Sequence, residues 1–163
     1  MIYFEELKQG LAESLRVFLS GENIEVKEEF TSARQSVPLR RPLVCVGYES
    51  IKSLSGGSYS GESEAGEIFT KNLLLYVALD IYTPVKSEGV KCHSIFSRIA
   101  DFFVLRADEY KAGEIRAGAL AFDSALEAFH MKAEIQLNAS LNLIKNQDGE
   151  AFEIYKIIRG EVK

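Results

Sequence analysis

The stretch FHMKAEIQLNASLNL, Phe129 to Leu143, decides the fold. Every odd position is apolar: Phe129, Met131, Ala133, Ile135, Leu137, Ala139, Leu141 and Leu143. Every even position is polar: His130, Lys132, Glu134, Gln136, Asn138, Ser140 and Asn142. Successive strand side chains point to opposite faces, so this pattern predicts a single β-strand, one face on a core and one wet. At about 3.3 Å per residue it spans roughly 50 Å, long for a globular domain.

Working outward, two amphipathic helices are expected to cover the greasy face. Phe4, Leu7, Leu11, Leu15, Phe18 and Leu19 recur at helical spacing, with Ser20-Gly21 as the stop. Val90, Cys92, Ile95, Ile99, Phe102 and Phe103 form the second stripe, with Ser87 as its cap. Strands are expected at Ile24 onward (an outer strand), at Leu43 to Ile51, and at Asn72 to Pro84, the last apolar on both faces and so covered on both. EIRAGALAFDS is a further strand, Asn146 to Gly149 is a turn signal, and the chain closes with an added strand within 146–163. The fold class is α+β: a mostly antiparallel sheet of about six strands with two helices packed on it, in one domain over 1–163. Residues 55–67 hold four glycines and four serines and read as a flexible loop.

The chain has 163 residues and a formal net charge of −5, which argues against sequence-specific nucleic-acid binding. No apolar run reaches the length of a membrane span. MIYFEELKQG carries acids where a secretory leader carries a basic segment, so a cytoplasmic protein is expected. Cys45 and Cys92 have neither disulfide-framework nor metal-site spacing, and neither a metal nor a cofactor is expected.

Candidate chemistry is thin. Gly56, Gly57 and Gly61 match no phosphate-binding glycine pattern. Cys92 and His93 are neighbours on a helix and do not face each other. The acids of the glycine loop, Glu62, Glu64 and Glu67, read as solvated. No catalytic residue is assigned. Arg34, Arg40 and Arg41 form the one basic cluster, and a partner's acids are one destination for it.

The arrangement does resemble one family. An N-terminal amphipathic helix precedes a strand pair with a long loop. ALDIYTP leads into EGVKCHSIFSRIADFF, and the long alternating strand follows GALAFDSALEAFHM. This is similar to the tail terminator (tail completion) proteins of long-tailed phages and prophages. The resemblance implies a non-enzymatic structural protein, made in the host cytoplasm and carried in the virion tail. It would form a homo-oligomeric ring, a hexamer being one option, that caps the tail tube and joins it to the head-connector proteins.

On that reading Gln136, Asn138, Ser140 and Asn142 present neutral amides and hydroxyls to a neighbouring subunit. Arg34, Arg40 and Arg41 meet Glu25, Glu28 and Glu29 of the next. The loop bearing Gly56, Gly57, Tyr59, Gly61, Glu62 and Glu64 orders on the tube. The competing reading is a small ligand-binding domain or enzyme, with His130 and nearby carboxylates in a cleft between helix and sheet.

Overall fold

The computed structural model describes residues 3–29, 37–54, 57–145 and 152–159; for 152–159, Tyr3 and Asp108 the backbone alone is described. The elements follow as α1 (Tyr3–Phe18), β1 (Glu25–Glu28), β2 (Leu43–Ser53), β3 (Ser58–Ser63), β4 (Gly66–Pro84), α2 (Val90–Leu105), α3 (Ala107–Tyr110), β5 (Ala112–Ala117), β6 (Ala121–Asp123), β7 (Ala128–Lys145) and β8 (Phe152–Arg159). The fold is α+β, with all eight strands in one sheet. Every strand pair is antiparallel except β1 with β2.

The spine of the sheet is the pair β4–β7. Their register runs from Glu67–Lys145 to Pro84–Ala128 without a slip. A one-residue slip would throw every apolar side chain of β7 onto the wet face, so the alternation itself holds the register. The bulges fall on the neighbours: at Tyr48–Ser50 in β2, Tyr59–Gly61 in β3, Ala112–Ile115 in β5, and in β8 opposite Asn142–Leu143. Each outer edge of the spine carries short strands in series. β2 and then β3 line β4, while β6, β5 and β8 follow one another along β7.

Both helices pack on the odd-numbered face of the spine. Leu7, Leu11, Leu15 and Leu19 join Val26, Val44 and Val46 in the core. Cys92, Ile95, Ile99, Phe102 and Phe103 of α2 join Leu75, Val77, Leu79, Ile81, Met131, Ala133 and Ile135. Phe102 is the hub of the aromatic packing, 5.4 Å from the Phe18 ring and 5.6 Å from Tyr110. Acids in the first turn of α1 (Glu5, Glu6) and Arg16 in its last complement the helix dipole.

Several expectations need correcting. Residues 58–63 are a strand, and β4 begins at Gly66, so most of the glycine-rich segment is a hairpin. Gly61 and Gly66 have φ of 142° and 141°, a backbone that glycine adopts without steric cost. Two of the four glycines that read as looseness, Gly61 and Gly66, are therefore the bulge and turn positions of that hairpin. The left-handed residue after α1 is Asn23, not Gly21. Ser87 lies in a 3₁₀ turn, and α2 starts from Gly89 with no side-chain cap. EIRAGALAFDS divides into β5 and β6. The even face of β4 is not fully covered: Leu74 and Tyr76 are half-buried. Arg34, Gly56 and the 146–149 turn lie outside the described residues.

Candidate interaction surfaces

A helix of 16 residues spans about 24 Å, whereas the 19 residues of β4 span about 60 Å. The helices cannot cover the spine from end to end. Burial records where cover ends. Odd residues from Leu73 to Ile81 in β4, and from Met131 to Ala139 in β7, are buried. Beyond the Leu73–Ala139 pair, Phe69, Leu141 and Leu143 on the same side are only half-buried. Here β3, the start of β4, the end of β7 and β8 make a four-stranded arm. Tyr59, 56% exposed, meets Phe69 edge-on at 5.9 Å. The arm ends in the turn from Ser63 to Gly66, with Glu62, Glu64 and Glu67 exposed.

The polar face of β7 is engaged within the chain. Thr70 Oγ1 donates to Asn142 Oδ1 at 2.9 Å and lies 2.7 Å from Ser60 Oγ. Ser140 Oγ donates to Asn72 Oδ1 at 3.1 Å. Asn138 Nδ2 donates to the Lys111 carbonyl at 3.1 Å, fixing the end of α3 against the strand. These side chains form cross-strand ladders and anchors, the unit of sheet stabilisation. The Gln136 amide lies beside Gly113, 3.4 Å from where a β-carbon there would stand. A hollow of about 400 Å³ at the neck of the arm is lined in part by Asn72, Lys111, Asn138 and Ser140. Within that lining Ser140 bonds to Asn72 and the Asn138 amide to the Lys111 carbonyl.

The arginine and glutamate candidates divide. Arg41 Nε is paired with Glu25 Oε2 at 2.9 Å in the same chain, and Lys27 holds the other oxygen at 2.9 Å. Burial pushes the Glu25 carboxyl up, but the two cations overcome this and hold it below the usual range. Glu29 sits over Gly47 and accepts the Tyr48 N–H at 3.2 Å. The expected contact of Arg41 and Glu25 with a neighbour is thus already made internally. Glu28 is half-buried, and Arg40 is exposed with no ion pair among the described residues.

His130 is not in a cleft between helix and sheet, because its even position places it on the far face. Its Nε2 lies 2.7 Å from Asp80 Oδ1, and its ring stacks on Tyr82 at 4.6 Å. Cys45 pairs in register with Asp80. Burial, with the Asp80 charge behind it, pushes the Cys45 thiol up to about 11 and the Tyr82 hydroxyl up to about 12. A thiol that holds its proton this firmly is a poor nucleophile. Cys92 is buried against Thr83 Oγ1 at 3.2 Å, and burial raises it too. Among the described residues no three His, Cys, Asp or Glu side chains group to hold a metal, and no helix is long and apolar enough to cross a membrane.

At the Pro84 end of the spine, opposite the arm, lies a second hollow of about 400 Å³. Its walls are Pro38 to Arg40, Pro84 to Ser87, and Glu127. The walls are pinned. Leu39 N–H donates to the Leu126 carbonyl, and Leu39, Leu43 and Ala128 form a small core with Tyr82 and Leu126. Asp123 Oδ1 accepts the N–H groups of Ala125 and Leu126 at 2.8 and 3.0 Å, shaping the turn that presents Glu127. Arg40 and Lys86 are exposed on the rim, with Val37 and Val85 beside them 56% and 51% exposed.

The arm and the cleft were not read from the sequence. Ile68, Phe69 and Thr70 are a short run of β-formers, but the preceding Ser/Gly composition masks it. The cleft joins segments distant in the chain and has no local signal. The fold is α+β, with a strand-built arm at one end of the spine and a hollow at the other. No protein-family model matches the chain, and the curated proteins hold no match to it.

Proposed function

We propose that the chain is a structural subunit of a phage or prophage tail, forming a homo-oligomeric ring that caps the tail tube and joins it to the head. The observation that carries an assembly role is the arm: a four-stranded extension on which Tyr59 is exposed and Phe69, Leu141 and Leu143 are half-buried where the helical layer ends. Contiguous apolar surface rimmed by charge marks contact sites. The terminator reading adds to this the resemblance of the ALDIYTP strand, the following helix and the long alternating strand. The reading as a small enzyme draws on His130 and Asp80, but the nearest thiol, Cys45, is held protonated, and His130 faces away from the helices.

Sedimentation velocity over a wide concentration range at about 0.1 M salt, where charge repulsion is screened beyond about 10 Å, tests assembly. Closed oligomers that appear as rings in negative stain are the expected result. A chain that stays monomeric at every concentration overturns the self-assembling ring.

A further inference from the structure

The two ends of β4 carry opposite kinds of surface. At the Gly66 end the arm tip bears Glu62, Glu64 and Glu67, of which, among the described residues, only Glu67 has an ion pair, with Lys145 at 4.0 Å. At the Pro84 end the cleft bears Arg40 and Lys86, neither with an ion pair among the described residues, together with Glu127 in the wall and Glu88 nearby. The apolar parts match as well. Tyr59 is exposed on the arm, and Val37 and Val85 are exposed at the cleft. The strand between them is about 60 Å long and pairs with β7 in an unslipped register. The arm of one chain therefore cannot reach its own cleft.

We infer that the arm tip of one subunit docks in the Pro84-end cleft of the next, so that the occupant of the cleft is a second copy of this chain. This rests on the ring reading and assigns its contact. Two different patches meeting head to tail make a heterologous interface, which closes into a ring when the rotation between subunits closes. Charge favours this direction: an arm against an arm brings acid to acid, whereas an arm in the cleft meets Arg40 and Lys86, with Glu127 and Glu88 limiting where its acids can sit. The hydrophobic part is small, with Tyr59 at the edge of Val37 and Val85. Contact strength thus depends on the charges, and high salt weakens it.

The test is a charge exchange. One variant carries Arg40→Glu and Lys86→Glu in the cleft. The other carries Glu62→Lys and Glu64→Lys on the arm. All four positions are exposed, and circular dichroism verifies that both variants fold. Alone, each variant sets like charge against like, and self-association is expected to need at least about tenfold higher concentration than wild type. Mixed in equal amounts, the acidic cleft of the first takes the basic arm of the second, and the basic cleft of the second takes the acidic arm of the first. Assembly is then expected to return in alternating order, read by sedimentation and by paired mass.

Variants that assemble alone as well as wild type overturn the contact while leaving the ring reading standing. Loss in the cleft variant but not in the arm variant removes the arm as the occupant and assigns the cleft to another acidic surface or to a free anion. Loss in both without recovery on mixing also overturns the pairing. A wild type that never associates overturns both the ring and this contact.

Discussion

Strands β4 and β7 run the length of the molecule with one register, yet their two halves behave differently. In the body, from Leu73 to Ile81 and from Met131 to Ala139, the odd side lies under two helices and is buried. In the arm, the same alternation continues through Leu141 and Leu143, and the side chains are only half-buried. On the even side of the arm Ile144 and Ser140 are buried. Periodicity thus reports strand, not burial. What a strand's face packs against is decided by elements elsewhere in the chain.

The largest expected effect follows from that contrast. Leu137→Ala in the body removes a buried side chain and is expected to cost about 2 to 5 kcal/mol. Leu143→Ala in the arm is expected to cost about 1 kcal/mol or less, because its site is half solvated. Urea unfolding of both variants checks the pair. Equal losses would mean that the arm is packed as tightly as the body in the free subunit.

A smaller effect sharpens the arm. Gly61→Ala forces a β-carbon onto a backbone with φ of 142°, in open space, so the cost is conformational and about 1 to 2 kcal/mol. It should fall on the hairpin alone. Amide exchange is expected to accelerate at Tyr59 and Phe69 while Leu75 and Ile135 keep their protection. Acceleration across the whole sheet would show that arm and body unfold as one.

The smallest effect belongs to the far face of the body. The Cys45 thiol is pushed up to about 11 by burial, above the ordinary value of 9.0. The unfolded chain therefore releases this proton first as pH rises. The proton's contribution to stability is full below pH 9 and is lost progressively between about pH 9 and 11. After allowance for partial exposure the loss is on the order of 1 kcal/mol. Cys45→Ala should flatten that part of the stability curve relative to wild type. An unchanged slope would put the thiol in contact with water.

Much of the body was legible in the sequence. The spacing of Leu7, Leu11 and Leu15, the stripe from Cys92 to Phe103, and the alternation of Phe129 to Leu143 each carry their structure locally. The arm was not, because Gly61 and Gly66 have the composition of a loop while serving a bulge and a turn. The interface candidates fared unevenly for a similar reason. Arg41 and Glu25 are far apart in the chain, and only the β1–β2 pairing shows that they satisfy each other. The amides of Asn138, Ser140 and Asn142 look free until β4 and α3 supply Asn72, Thr70 and the Lys111 carbonyl.

The unslipped spine also orders the way the molecule comes together. Pro84 and Ala128 are the partners nearest in sequence along β4–β7, and Glu67 and Lys145 are the most distant. Loop-closure entropy rises with separation, so pairing is least costly at the Pro84 end and zips toward the arm. The Pro84 end is therefore the cheapest part of the spine to pair, while the acidic tip is closed on its own by the two-residue turn of the β3–β4 hairpin, the most local pairing in the arm.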